Sequence, residues 1–432
     1  MEQGESILRP TNLTFDQRVN IFNKTAAKVT KDYFDPKFNG VDWPKIASER
    51  RDRILSLDDA EAFELAMHDL VRTLGTSHTG FFHQSVRRVP ARLAIGATFG
   101  KVDSETGGSE WIARDVHEAG PAHAAGLRPL DILKAINGTP LAPPNQPMFP
   151  MGTQSTLIIR RGLEEQTLTV AIPAPRSRKQ PYSEMKAVTF STLDKNVGYL
   201  KVSILPGLLG LDVAREIDAA VRTLANCDSL ILDLRGHLGG GLGVLRLMSY
   251  LTPDKLPIGF TLTRKSAEKG YDKNKLHRLD RLPTNLPNPI AIASMALKHL
   301  GRGESVLLVS EGLGPQRWHG HVAILVNEHT VSAGEMVAAF ASENGLATLV
   351  GVDTAGRLIP GSGFKVGHGY MLIMPKAQYI TWEGRRFEGE GVKPSAFAPW
   401  SIEAFISGKD NQVQTALEQL LVGKTAAAGT SS

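Results

Sequence analysis

Between Phe15 and Gly75 the apolar positions step by three and four along the chain. Phe15, Val19, Phe22, Ala26, Val29 and Tyr33 form one stripe, which predicts an amphipathic helix. Thr14 stands at its N-cap with Gln17 at the capping-box position, and Asp35-Pro36 stops it. A second helix opens at Trp43-Pro44, where proline suits the first turn. A third carries Phe63, Met67, Leu70 and Leu74 and ends at Gly75. The polar loop Thr76-Ser77-His78-Thr79-Gly80 follows. A lone histidine in such a loop is either solvent-exposed or catalytic. Residues 1–87 are expected to form an N-terminal helical domain.

From about Arg92 the period shortens to that of β-strands. Ile95 to Gly100 is expected to be a glycine-flanked apolar loop, and Gly120-Pro121-Ala122 to open a short helix closing at Gly126-Leu127. Leu130 to Ile136 predicts a strand that ends in the tight-turn pair Asn137-Gly138. Thr156–Arg160 and Gln166–Ile172 predict a final strand pair. The run GPAHAAGLRPLDILKAINGTPL resembles bacterial PDZ domains, whose usual Gly-Asp is Leu130-Asp131 in this chain. The resemblance implies a module over 88–175 that takes a peptide as an added strand. The peptide's C-terminal carboxylate would be captured at Ile95, Gly96, Ala97, Thr98 and Phe99. The alternative is a β module with no ligand.

The Pro- and Arg-rich stretch Pro173–Pro181 reads as a linker. Beyond it strands and helices alternate, which predicts an α/β core over 176–422. Val197–Val202 and Ser229–Arg235 are expected strands, and Ala214–Leu224 an expected helix. Asp233-Leu234-Arg235 runs into Gly236-His237-Leu238-Gly239-Gly240-Gly241. This loop lacks the spacing of either nucleotide-binding glycine motif. It is either a packing turn or a place where backbone N–H groups approach a ligand, as an oxyanion hole requires. Residues Pro253–Trp318 look less regular and are expected to be an insertion bordering the site, and 423–432 a disordered tail.

One stretch joins all three signals. The apolar run Val322–Val326 breaks at Asn327-Glu328, and after Ser332 a helical pattern begins with Met336, Val337, Phe340 and Ala341. A strand, a sharp turn and a helix are expected, with a serine hydroxyl at the helix N-terminus. Ser332-Ala333-Gly334-Glu335 also matches a capping box, so capping is the competing reading. Thr330 stands where the hydrolase elbow G-x-S-x-G has its first glycine.

Composition narrows the classes. With 42% hydrophobic and 22% charged residues the chain is globular, and a net charge of +5, scattered along it, does not indicate nucleic acid. Cys227 is the only cysteine, which excludes an internal disulfide and a cysteine metal cluster. No apolar run approaches the ~18 residues of a membrane span. The N-terminus shows no basic-then-apolar leader. A cytoplasmic location is therefore expected for the sequence as written, and a periplasmic or secreted one if a leader has been removed.

The ordered set of features resembles the tail-specific, C-terminal-processing serine peptidases and their tricorn-type relatives. The set is a three-helix start ending in Ser77-His78-Thr79, a PDZ-like module, Asp233-Leu234-Arg235 with its glycines, Thr330 to Glu335, and Glu388-x-x-Gly391-Val392-x-Pro394. The resemblance covers about residues 15 to 400. It implies a crotonase-like, ClpP-like α/β core with an N-terminal three-helix bundle and an inserted PDZ-like β module. One branch uses a Ser–Lys dyad with lysine in a T-x-G-K segment. This chain has Thr354-Ala355-Gly356-Arg357, and arginine stays protonated. The tricorn-like branch uses Ser, His, a second Ser and Glu.

By that resemblance Ser332 is the nucleophile and His78 its base, with Ser77 and Glu388 orienting the site. Glu390 is a rival for Glu388. The oxyanion hole is Ala333 with Gly239 or Gly240. His237, where the family usually has Asn, is a second candidate base or ligand, and Lys365 and Lys376 lie off the dyad position. Turnover is expected to rise through one ionisation in the histidine range. No metal or organic cofactor is implied. The implied partners are polypeptides with accessible C-termini, and the oligomeric state stays open, a homo-oligomer included. Two rivals remain: a catalytically impaired binding or scaffold protein on the same fold, and acyl-CoA chemistry on a crotonase-like core, which gives Ser332 no role.

Overall fold

The computed structural model describes residues 12–85, 88–104, 107–118, 120–174, 186–206, 211–282, 304–314, 318 and 320–429, with backbone alone at 211 and 423–429. Most of the expected linker after Pro173 lies outside the described residues. The chain divides into two compact units, one over Phe82–Lys186 and the other over Pro10–Phe81 with Ala187 onward.

The smaller unit is an antiparallel sheet in the order Ala97–Asp103, Ser109–Val116, Ile132–Ile136, Gln154–Arg161 and Glu164–Ala171. Ala97–Asp103 is therefore an edge strand. The sequence predicts a loop at Ile95–Gly100, whereas Ala91–Ile95 is a short helix and a strand begins at Ala97. Gly96 makes the switch. It takes φ 69 at the helix end, and its carbonyl accepts the His117 N–H at 2.8 Å. Asn137 and Gly138 both have positive φ, as the tight-turn pair requires. Leu130 holds φ 73, the conformation that a glycine supplies in the usual Gly-Asp form. The buried Asp131 beside it takes both arms of Arg161 at 2.7 Å, which compensates its lost hydration. Phe99, Ala113, Leu127, Leu133, Leu157, Ile159 and Val170 form this unit's own core.

The larger unit begins with the three expected helices, Phe15–Asp32, Trp43–Leu55 and Ala60–Arg72. Thr14 and Gln17 close the first as a capping box. The helices bury Ile21, Trp43, Phe63, Met67 and Leu70 against Tyr370, Leu372 and Met374 of the hairpin Gly361–Gly367/Tyr370–Pro375. The N-terminal helices thus share a core with a hairpin from the far end of the chain. The loop after them is drawn in with it.

A six-stranded sheet runs Val188–Leu193, Val197–Val202, Ser229–Asp233, His321–Val326, Thr348–Gly351 and Ala396–Phe397, parallel throughout except for its first strand. Its central strands are apolar on both faces, as a covered parallel sheet requires. The helices Leu211–Thr223, Val244–Tyr250 and Ala333–Glu343 contribute to the main core, and Asn411–Gly429 to a second cluster with Ile231, Leu325 and Val350. That last helix reaches into the stretch expected to be a disordered tail.

The region expected to be an insertion, Pro253–Trp318, is partly a second sheet. His277–Leu279, Val306–Val309 and Pro257–Thr263 line up with Ala377–Thr381. Its strands are short and two of them meet strands distant in sequence, so no local pattern announces them. Residues 283–303 of that region lie outside the described residues.

Candidate active site

The strand His321–Val326 ends at Asn327, and the helix Ala333–Glu343 begins one residue after Ser332. Between them Asn327 and Thr330 close a turn: the Thr330 N–H donates to Asn327 O at 2.8 Å, and the Asn327 N–H to Thr330 Oγ1 at 3.0 Å. Ser332 has φ 52 and ψ −113, outside the conformations an L-residue adopts easily. An ordinary N-cap needs no such backbone. Strain of this kind persists only where the surroundings over-determine it, and it gathers at functional sites.

The glycine loop lies against this turn. A Cβ on Gly239 would stand 2.8 Å from Ser332 Cβ, and one on Gly240 would stand 2.0 Å from Leu205 O. Only glycine permits both approaches, and both residues have positive φ. The flanking Leu238 and Gly241 N–H groups are taken up by Ser203 O and Leu205 O. Below the turn, the His237 carbonyl accepts the Val331 N–H at 2.9 Å. His237 is buried, its Nδ1 meets Val202 O at 2.8 Å, and its ring edge underlies Gly334. The ring packs beneath the Ser332 turn.

The polar loop after the third helix forms the other half. Ser77 Oγ lies 2.9 Å from His78 Nδ1. Ser77 also donates its N–H to Glu388 Oε1 at 2.7 Å and its hydroxyl to Glu388 Oε2 at 3.1 Å, across 311 positions of sequence. Glu390 is exposed and takes no part in this array. Thr76 is buried, with its hydroxyl 2.6 Å from that of Thr79, and Tyr33 donates to it at 3.4 Å, so the loop is braced from within. Gly361 seats the imidazole: a Cβ there would stand 3.0 Å from His78 Cβ. Burial pushes the His78 pKa below its ordinary value, the nearby Glu388 raises it, and Arg357 lowers it again.

The loop Thr354–Ile359 joins the halves. At one end Thr354 Oγ1, Gly356 N–H and Arg357 N–H donate to the buried Glu335 carboxylate, which also accepts the Ser332 N–H. At the other end the Leu358 and Ile359 N–H groups donate to Glu388 Oε2. Arg357, at the lysine position of the dyad motif, is partly buried. Burial and Arg72 depress its pKa, and Glu335 and Glu388 oppose them. Lys365 and Lys376 are exposed. Sequence reading took Glu335 for a capping residue and missed it as a hub; the S-x-x-E spacing was the only signal. The residues assigned to peptide capture, Ile95 to Phe99, lie in the smaller unit at the start of its edge strand.

Residues 196–396 match the model of peptidase family S41, a span that holds the glycine loop, Ser332 and Glu388 but not Ser77 and His78. The chain is 23% identical to the carboxyl-terminal-processing protease of Synechocystis sp., over 98% of this chain and 91% of that protein. It is also 23% identical to the chloroplastic carboxyl-terminal-processing peptidase 2 of Arabidopsis thaliana, over 88% and 69%. Carboxy-terminal processing protease CtpA of Bacillus subtilis is 22% identical, over 89% and 70%. Among solved structures, the photosystem II D1 C-terminal processing protease superposes with a TM-score of 0.57 at 16% identity, covering 90% of this chain and 94% of that one. Mature CPAF complexed with lactacystin gives 0.58 at 14%, covering 96% and 98%. The chain is thus a serine-type peptidase, a hydrolase with a mixed α/β fold. More particularly, residues 196–396 are similar to peptidase family S41, and the whole chain is similar to carboxyl-terminal-processing proteases.

Proposed function

We propose that this protein is a serine endopeptidase for unfolded or tail-bearing polypeptides, with Ser332 as nucleophile, His78 as base and the smaller unit as a PDZ-type recruiter of C-termini. The observation that carries the catalytic reading is the Glu388–Ser77–His78 array, with Ser77 on Glu388 through both N–H and hydroxyl. With Nδ1 donating to Ser77 Oγ, and that hydroxyl to Glu388 Oε2, the imidazole carries its base lone pair on Nε2. The array does for His78 what a buried carboxylate does for a triad histidine, with a hydroxyl interposed. Arg357 at the dyad position favours this tricorn-type arrangement over a Ser–Lys one, because a guanidinium stays a cation and cannot accept the proton.

In this reading Ser332 Oγ attacks the scissile carbonyl carbon as His78 Nε2 takes its proton. The oxyanion is met by the N–H groups of Ala333 and of Gly239 or Gly240. The tetrahedral species collapses, and the imidazolium gives its proton to the departing amine. Water, deprotonated by the same nitrogen, then releases the acyl group and restores the serine. The edge strand Ala97–Asp103 supports the recruiting role, because an extended peptide adds to an open sheet edge.

Casein hydrolysis and labelling by a fluorophosphonate probe test the assignment. Ser332→Ala is expected to lose both while keeping the fold, with at most ~1 kcal/mol lost from the helix start. His78→Ala is expected to lower kcat by ~10³-fold or more. Labelling that persists in Ser332→Ala, or moves to Ser362, overturns the choice of serine. Intact protein that neither cleaves nor labels supports a binding protein on this fold instead.

A further inference from the structure

We infer that Glu335 is a positioning residue: its buried carboxylate holds the Ser332 turn and couples it, through the Thr354–Ile359 loop, to the array that orients His78. The inference rests on the roles proposed above for Ser332 and His78. Glu335 stands three residues after Ser332, where a glutamate ordinarily serves its own helix by accepting the N-cap N–H. That bond is present, from the Ser332 N–H to Oε2 at 3.0 Å. The other three donors come from far along the chain. Thr354 Oγ1 and the Gly356 N–H meet Oε1, each at 2.7 Å, and the Arg357 N–H meets Oε2 at 2.8 Å, from 19 to 22 positions away.

A cap does not need this. A carboxylate with 0% exposure is expensive to desolvate, and burial pushes its pKa up. Four donors offset that, and the group they fix is the residue held at φ 52. The loop then continues without slack. Four consecutive N–H groups, Gly356 to Ile359, pair off on two carboxylates: the first two on Glu335 and the next two on Glu388. Glu388 Oε2 also accepts the Ser77 hydroxyl. The loop is therefore a spacer of fixed length between the nucleophile turn and the orienting array. Releasing either end lets the two halves drift apart. Misplacement by about 1 Å is enough to lower a rate by ~10²-fold without loss of substrate binding.

The test uses the full-length protein with Glu335→Gln, Glu335→Ala, Glu388→Gln and the double variant Glu335→Gln/Glu388→Gln. The readouts are kcat and KM on casein and the second-order rate constant of fluorophosphonate labelling. A Gln at 335 keeps one acceptor oxygen for two donors but turns its NH₂ toward the others. Glu335→Gln is expected to lower kcat and labelling by ~10-fold or more with KM within ~3-fold, and Glu335→Ala to lower both further. The double variant is expected to lose less than the product of the single losses, because both carboxylates act through one loop.

Wild-type labelling in Glu335→Gln, or fully multiplicative losses in the double variant, overturns the inference. Should the Glu335 variants not fold, Thr354→Val and Thr354→Ser take their place. The serine keeps the donor to Oε1 and is expected to label faster than the valine, and equal rates count against the coupling. Ser332→Ala separates the two ideas. If it still labels, the catalytic reading fails. If it is inert while Glu335→Gln behaves as wild type, only the positioning role fails.

Discussion

If His78 is the base, as proposed, it can accept a proton only while neutral, so its surroundings set the pH at which the enzyme turns on. Burial is the largest influence and lowers the pKa, because the charged form loses hydration. Glu388 raises it and Arg357 lowers it, and the balance lies below the ordinary histidine value of ~6.5. Activity then rises as pH increases through a value on the acid side of that figure, toward the lower edge of the range expected from the sequence. The profile of kcat/KM against pH reports this pKa in the free enzyme. Arg357→Ala removes a cation and is expected to move the rising limb to higher pH. Glu388→Gln removes an anion and is expected to move it lower, with a reduced plateau because Ser77 loses half its anchor. Limbs that shift in the opposite directions would show that another group titrates. The candidate residues that sequence reading singled out, Ser77-His78, Ser332, the glycines and Glu388, all sit in short runs. What Glu335 gathers was not legible. Most of its distant donors are backbone N–H groups, which every residue owns and no motif marks.

At the scale of elements, the strand Ser229–Asp233 shows how a motif can be structural while lying beside the site. Asp233, fully buried at the strand's end, takes Arg235 Nε at 3.0 Å and Nη2 at 2.8 Å. Arg235 reaches on to Asp410 and Gln412 at the start of the last helix, each at 3.0 Å. Burial favours the neutral acid, yet Arg235, with help from Lys201 and Tyr199, holds the Asp233 carboxyl far below the usual range. Arg235→Met leaves a buried charge unpaired and unhooks that helix, and is expected to lose ~3–5 kcal/mol in urea melts near neutral pH. A carboxyl with a depressed folded pKa contributes stability above its unfolded value of ~3.9 and loses it as pH falls. The deficit of the variant is therefore expected to narrow in acid. A loss under ~1 kcal/mol at neutral pH, or one independent of pH, would count against the pair's role. Regular elements of this core were readable from periodicity because they are long or fully apolar. The second sheet was not. Its strand Pro257–Thr263 pairs with Ala377–Thr381 more than a hundred residues on, an alignment that packing decides.

At the scale of the whole molecule, each unit has a core of its own, which is the condition for separate folding. The boundaries read from the sequence, 88 and 175, lie within about a dozen residues of the ends of the compact unit Phe82–Lys186, the second of them in the Pro- and Arg-rich stretch read as a linker. If the smaller unit recruits chain ends, it must distinguish a free carboxylate from an amide. The natural place is the turn at Gly96, where the short helix gives way to the edge strand. Paired peptides of one sequence, with free and amidated C-termini, are expected to differ in KM for the intact protein, the amide being ~10-fold poorer. The difference should lie mainly in KM, since the recruiting contact is made equally in ground and transition states. Replacing residues 82–186 by a Gly/Ser linker is expected to leave a folded core with the same labelling rate at Ser332 and no preference between the peptides. Equal turnover of the two peptides by the intact protein would remove tail recognition from the proposal and leave the peptidase core standing. A linker variant that keeps the preference would instead move the recognition of the carboxylate into the core, where Arg357, beside His78 and Glu388, is the cation to test next.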